Sequence, residues 1–357
     1  MTARALRTHL PRDVADLADL LSSRRPDDPP LRVHGEGRSV ERLPLPDRDY
    51  DVVAMSEQRR ILRLAADDLT CSVEAGVRCI DLAAALAEKR LVLPMSIEHA
   101  TIGSAFADGD SVCDTAGPLG LASPRNLLLG CEGVLGEGKR FKSGARVVKS
   151  VAGFDVHKLL VGSRGSLFAA TVLHLKLRPA PRASVAFVSD EFDRDRALER
   201  FRALRAESSP PAEFWLRFDA DTGVARIQGT YQGSAGLVSQ RMTMHRLQAN
   251  EAVSSPLASD STREHVRGIV PPASAARVLG LISRNTRVAL SGGGRLRIDA
   301  PATVIDSLLP RLVALDARVE IQGGPAARRG RATPSDAGAA RLTERLRDRF
   351  DPKRVFA

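Results

Sequence analysis

The sequence predicts an α+β chain in two parts, with a break near residue 180. Three observations carry this prediction. Strand, helix and strand alternate up to Pro179 and Pro181; longer strands with covering helices follow; and three glycine-rich loops of one design all precede the break. The length of 357 residues agrees, because a domain runs to roughly 150 residues. The expected layout is one domain over residues 1–180, a second over 181–325, and a linker with a closing helix over 326–357.

Pro11 to Ser22 reads as a helix opened by proline, with Val14, Leu17 and Leu21 on one stripe. Leu31 and Val33 alternate with polar neighbours as a short strand leading into His34-Gly35-Glu36-Gly37-Arg38-Ser39. Pro44 and Pro46 follow too soon for that turn to open the long helix a Rossmann dinucleotide fingerprint needs. Leu69 to Ala75 alternates as a strand ending at Gly76, a helix with Asp81 in its first turn runs to Arg90, and Leu91 to Pro94 is extended. Ser96 to Gly138 is rich in Gly, Ser and Asp and reads mostly as loops. Val147-Val148 and Thr171 to Leu177 read as strands.

After Pro181 we expect a strand at Ser184 to Val188 and a helix at Asp193 to Ala206, with Ala197, Phe201 and Leu204 in phase. Strands with Phe214, Leu216 and Phe218, then Val224 to Tyr231, precede a helix through Leu237, Met244 and Leu247. A second round brings strand Arg295 to Asp299, a helix carrying Val304, Leu308, Leu312 and Leu315, and strand Arg318 to Gln322. Gly323 to Ala340 reads as a flexible linker and Arg341 to Arg349 as a charged closing helix.

Composition narrows the function. Hydrophobic residues at 43% and charged residues at 27% are those of a folded globular chain. The net charge is +10, but arginines alternate with Asp and Glu along the length and no basic block forms. One Trp and two Tyr leave little for base stacking, so no nucleic-acid partner is expected. Cys71, Cys79, Cys113 and Cys131 form neither a C-x-x-C pair nor an iron–sulfur spacing, which fits a reduced cytoplasmic setting. The seven histidines show no metal-site spacing, and no apolar window spans a membrane. We expect no metal and no membrane insertion.

The three loops are Gly35 to Ser39, Ala100 to Ala105 and Gly162 to Leu167, with Lys149-Ser150-Val151-Ala152-Gly153-Phe154-Asp155 between the last two. Each places small residues where consecutive backbone N–H groups can meet anionic oxygen. The stretch Arg146-Val147-Val148-Lys149-Ser150-Val151-Ala152-Gly153-Phe154-Asp155 through Gly162-Ser163-Arg164-Gly165-Ser166-Leu167 resembles the FAD-binding domain of the vanillyl-alcohol oxidase and p-cresol methylhydroxylase (PCMH) superfamily. Within it, the FAD-binding subunits of bacterial glycolate oxidases are the most similar. Pro124-Arg125-Asn126-Leu127 and Phe350-Asp351-Pro352 are similar to two further motifs of that family.

The resemblance implies a two-subdomain PCMH-type FAD-binding fold followed by a ferredoxin-like α+β cap domain. It implies that His34 to Ser39 hold the FAD pyrophosphate, with Thr101, Ile102, Gly103 and Ser104 lining it from the other side. Gly153 to Asp155 and Gly162, Gly165 and Ser166 would follow the ribityl chain and adenosine, and Arg125 belongs to the same set. The implied activity is oxidation of a small 2-hydroxy acid, with electrons passed to partner subunits of a glycolate oxidase-like complex. The alternative is a member of the fold that has lost turnover and serves as a structural or regulatory subunit. Ser104, Arg164, Phe168 and the acidic run Ala107 to Asp114 depart from the family pattern, and Arg164 is placed to offset Asp108 or Asp110. No catalytic base is identifiable. His34 at a strand edge, His99 in a loop and His157 on a helical turn read as structural residues. Arg295 and Arg297 share a strand face that could hold a carboxylate, although a solvated arginine ladder is the plainer reading.

Overall fold

A computed structural model describes residues 3–37, 46–95, 100–109, 123–146, 154–250, 263–323, 328–331 and 337–357. The predicted strand at Val147-Val148 lies outside the described residues.

The chain opens with β1 (Ala5–His9), α1 (Val14–Ser23), β2 (Leu31–His34) and β3 (Tyr50–Ala54), which form a parallel sheet in the order β1-β3-β2. Helix α1 starts where Asp13 accepts from the amides of Ala15 and Asp16, and it buries Leu17 and Leu21. Next come β4 (Ile61–Ala65), β5 (Thr70–Glu74), α2 (Cys79–Glu88), β6 (Leu91–Val92), α3 (Ile102–Asp108), α4 (Pro124–Leu127), β7 (Leu128–Leu135), β8 (Arg140–Gly144), β9 (Phe168–Lys176) and β10 (Arg178–Pro179). Five of these strands make an antiparallel sheet in the order β4-β5-β9-β7-β8. Its core includes Val73, Leu82, Phe106, Phe168 and Leu173.

The described residues between Ser96 and Gly138 include α3 and the eight-residue strand β7, where the composition suggested mostly loops. Glycines hid that strand. A Cβ on Gly130 would lie 2.7 Å from the Ser143 carbonyl oxygen, and one on Gly133 would lie 2.7 Å from that of Ala169. Neighbouring strands approach too closely for any other residue, so the strand carries residues that strand propensity disfavours.

The rest of the strands build a nine-stranded sheet from two units of one design. The first is β11 (Ala183–Val188), α5 (Arg194–Arg205), β12 (Glu213–Asp219), β13 (Val224–Gly233), α6 (Ala235–Met244) and β14 (Gln248–Asn250). The second is β15 (Glu264–Ile269), α7 (Ala275–Leu281), β16 (Arg287–Ser291), β17 (Arg295–Ala300), α8 (Ala302–Val313) and β18 (Arg318–Ile321). Both have the βαββαβ order of a ferredoxin-like fold, β14-β11-β13-β12 and β16-β17-β15-β18, and they join edge to edge through β12 and β16. Alternate residues such as Phe214, Leu216, Ile227, Leu290 and Ile298 pack beneath the helices. The opposite face is polar and includes Trp215, Arg217, Arg267, Arg295, Arg297 and Glu320.

The expected linker from Gly323 to Ala340 is partly structured. The short strand β19 (Gly330–Arg331) pairs with β18, and Arg328 binds Glu264 and Asp306. Helix α9 (Ala337–Phe350) begins four residues before the predicted start. Its Leu346 and Phe350 pack on the core of the five-stranded sheet, and Val355 and Phe356 enter the core beneath α1.

A candidate cofactor cleft

A cleft lies where the turn after β2 meets α3 and the start of β9. Val33, His34, Gly35, Glu36 and Gly37 form one wall, and Ala100, Thr101, Gly103, Ser104, Ala107 and Asp108 form another. Met55, Ala75, Leu160, Arg164, Gly165, Phe168 and Ala170 complete the lining. Residues far apart in sequence converge because β2 and β5 end, and the antiparallel β9 begins, on the same side.

Thr101 is the hinge of this arrangement. It is fully buried and caps α3 reciprocally with Ser104: Thr101 Oγ1 accepts from the Ser104 amide, and Ser104 Oγ accepts from the Thr101 amide, both at 3.4 Å. The serine that departs from the family pattern therefore closes a helix cap. Gly35 packs directly on this cap, and a Cβ there would sit 2.0 Å from Thr101 Oγ1.

The loops differ in what their amides do. The Ile102 amide donates to Val77 O at 2.9 Å and the Gly103 amide to Ala75 O at 2.8 Å, so neither is open to a ligand. In the third loop the amides of Ser163, Arg164 and Ser166 donate to Leu160, Ala107 and Ser163. The first loop presents the amides of Glu36 and Gly37, to which the described residues offer no acceptor, and in the third loop the amides of Gly162 and Leu167 likewise have none among the described residues. Gly37 adopts φ +78°, a conformation natural to glycine. The sequence treated three loops as equivalent anion cradles, whereas in the second the Ile102 and Gly103 amides are taken up by the chain itself.

His34 lies at the head of that loop. Burial, aided by the nearby Arg32 charge, lowers its pKa from 6.5 to about 4. Its Nε2 is buried without a hydrogen-bond partner among the described residues. A neutral imidazole thus brings an unsatisfied nitrogen to the cleft wall. The shift carries a sign. An unfolded chain takes up the proton near pH 6.5 while the folded one resists until about pH 4, so stability is complete above 6.5 and is lost as pH falls between those values. At 1.36 kcal/mol per unit this amounts to roughly 3 kcal/mol. Denaturant melts of the ligand-free protein between pH 7 and 4 should show the loss, and His34→Gln should flatten it.

The charged groups of the cleft are paired. Glu36 lies 3.4 Å from Arg78 Nε, and Asp108 receives both terminal nitrogens of Arg267. Arg164 reaches Asp108 at 3.3 Å, as the sequence suggested, and also forks onto Glu320. Phe168 is 1% exposed, packs edge-on against Phe141 at 4.8 Å and forms part of the cleft wall.

Other expected site residues lie elsewhere. Ile102 is core, Asp155 is an exposed residue opening a 3₁₀ turn, and Arg125 offers its carbonyl to Lys158. Gly162 lies in a turn outside the lining, and Ser166 Oγ donates to Ser163 O at 2.7 Å. Arg38, Ser39, Gly153 and His99 lie outside the described residues. His157 is a packing residue, bonded to Ser143. Arg295 is not solvated: it is 4% exposed and stacks over Trp215 at 5.1 Å, with Arg297 at 5.9 Å. Among the described residues there is no metal-ligating cluster and no helix long and apolar enough to cross a membrane.

Residues 6–143 match the FAD binding domain family. The chain is 26% identical over 228 residues to the glycolate oxidase subunit GlcE of Escherichia coli (strain K12), a stretch covering 60% of this chain and 63% of that one. It is 28% identical over 179 residues to the mitochondrial D-lactate dehydrogenase [cytochrome] of Arabidopsis thaliana, covering 50% of this chain and 31% of the relative. Among solved structures, alkyldihydroxyacetonephosphate synthase superposes with a TM-score of 0.69 at 12% identity, over 98% of this chain and 75% of that one. That likeness establishes the PCMH-type fold. The donors of the cleft suit FAD: Glu36 and Gly37 offer amides to a diphosphate, and His34 brings an orphaned nitrogen.

Proposed function

Because the chain carries an FAD binding domain of the kind shared with glycolate oxidase subunits and D-lactate dehydrogenases, we propose that it is a flavin-dependent dehydrogenase or oxidase subunit acting on a small 2-hydroxy acid such as glycolate. The observation that carries the reading is the first glycine turn, where open amides and a neutral, unsatisfied His34 meet in one cleft. Glu36 and Gly37 would hold the diphosphate by N–H donation, and His34 would hydrogen-bond the ligand without bringing a charge. FAD supplies the two-electron acceptor for a hydride from the carbinol carbon.

Residues 181–325 would act as the cap, with the polar face of its sheet turned to the cleft. Arg297 lies directly opposite Arg267 in the β15–β17 ladder, and Arg267 contacts the cleft wall through Asp108. Arg295 and Arg297, held rigid on Trp215, are the proposed clamp for the substrate carboxylate. The proposed setting is the cytoplasm, with partner subunits taking up the electrons.

One observation favours a second reading, that of a flavin-holding subunit without its own turnover. Among the described residues of the cleft, Glu36, Asp108 and Arg164 are all paired, and His34 is a weak base. Anaerobic titration decides between the two. The purified protein should show flavin absorption, and excess glycolate or D-lactate should bleach it within a turnover. A yellow protein that no 2-hydroxy acid bleaches supports the second reading, and a protein that takes up no FAD removes both.

A further inference from the structure

We propose that the nine-stranded sheet sets the charge of the cofactor cleft: Arg267, which does not line the cleft, neutralises Asp108, which does, and thereby raises the affinity for FAD. Four charges alternate in a ring. Asp108 Oδ2 and Oδ1 accept from Arg267 Nη1 and Nη2 at 2.9 and 2.7 Å, and Glu320 Oε1 and Oε2 accept from Arg164 Nη1 and Nη2 at 2.7 and 2.5 Å. The ring closes through Arg164 Nε at 3.3 Å from Asp108 and Arg267 Nη2 at 3.7 Å from Glu320. Arg267 and Glu320 are direct ladder partners on β15 and β18, so the sheet presents them as a unit.

Both forks cross between the two halves of the chain, and Arg267 and Asp108 are only 9% and 10% exposed in their side chains. Charges so placed are poorly screened and bound in the strongest geometry available to arginine. Arg164 holds φ +53°, with its amide on Ala107 O. A non-glycine residue keeps that conformation where its surroundings impose it.

Two facts distinguish this from a simple strap. The cleft is lined by Asp108 and Arg164 and not by Arg267 and Glu320. Within this ring, removing the Arg267 charge leaves two carboxylates against one guanidinium beside a site for a doubly anionic diphosphate. Like charges repel strongly in such a shielded place. Arg267 is therefore a positioning residue that acts through Asp108.

This rests on the reading that the cleft takes FAD, so affinity is the measurement. Full-length apoprotein is titrated with FAD for the wild type, Arg267→Ala, Asp108→Asn, the double variant and Glu320→Gln, with a thermal melt of each. Arg267→Ala should weaken binding by about tenfold or more, and Asp108→Asn in that background should restore it to within about threefold of wild type. Glu320→Gln breaks the same ring but removes a negative charge, so it should bind FAD as tightly as wild type or more so. The proposal is overturned if Arg267→Ala binds like wild type, if the double variant stays as weak as Arg267→Ala, or if Glu320→Gln is weakened equally, which would mark a mechanical strap. Should Arg267→Ala fail to fold, the other single variants decide: unweakened affinity in both upholds the proposal, and about tenfold loss in either overturns it. A wild-type protein that takes up no FAD removes the cleft assignment and this proposal with it.

Discussion

Gly35→Val should abolish measurable FAD binding, weakening it by about a hundredfold or more, and should destabilise the ligand-free protein by about 2–4 kcal/mol. The cause is not a side chain projecting into the diphosphate site, as the glycine turn alone would suggest. A Cβ at residue 35 meets Thr101 Oγ1 at 2.0 Å, Cγ2 at 2.9 Å and Cβ at 3.0 Å. Thr101 cannot retreat, because its hydroxyl caps α3 and the chain beside it is tied to Val77 and Ala75. Valine therefore dislodges the cap, moves both walls of the cleft and closes it. Gly37→Val separates this from simple loop strain, since φ +78° imposes only about 1–2 kcal/mol on a side-chain residue. FAD titration and urea melts of both variants check the pair. Wild-type affinity in Gly35→Val would show that the ligand lies elsewhere.

The architecture was legible where burial follows a period. Ala197, Phe201 and Leu204 marked α5, and the alternation of Phe214, Leu216 and Phe218 marked β12. The same periods exposed the latter half of the second βαββαβ unit, β17, α8 and β18, while β15, α7 and β16 went unread. Strand β7 escaped because Gly130 and Gly133 serve interstrand approach. Helix α3 escaped because seven residues give too few turns to display a stripe.

The site was legible in its location and less so in its working. Loop residues look alike in sequence whether their amides are left without an acceptor among the described residues, as at Glu36 and Gly37, or reach a strand end, as at Ile102 and Gly103. Arg267 and Glu320 carry no local signal, since their partners lie 159 and 156 residues away. His34 reads as an ordinary strand-end histidine until the fold buries it and leaves Nε2 without a partner. Arg295 reads as a solvated residue until Trp215 is found beneath it. In each case the missing information is tertiary, and no window of neighbours contains it.

Asp351→Ala should cost about 3–5 kcal/mol of stability, although it lies in the last turn of the chain and outside the cleft. Terminal residues usually tolerate change, but this one is fully buried, and its two carboxylate oxygens accept from the amides of Val355 and Phe356, each at 2.8 Å. Hydrogen bonds to a charged group contribute about 1.5–3 kcal/mol each. They shape the closing segment so that Leu31 donates to Val355 O and the Ala357 amide donates to Leu31 O, extending the small parallel sheet past β2. Since β2 leads into His34 and the glycine turn, loosening the chain end should also weaken FAD binding, by less than Gly35→Val does. Asp351→Asn tests the cause: one amide oxygen can still accept while its NH₂ opposes the second donor, so about half the loss should remain. Gly136→Ala should reproduce the effect from the other side, because its Cβ would lie 2.1 Å from Asp351 Oδ1. Denaturant midpoints of the three variants provide the comparison, and an Asp351→Ala protein as stable as wild type would mean that the terminal segment is held by Val355 and Phe356 packing alone.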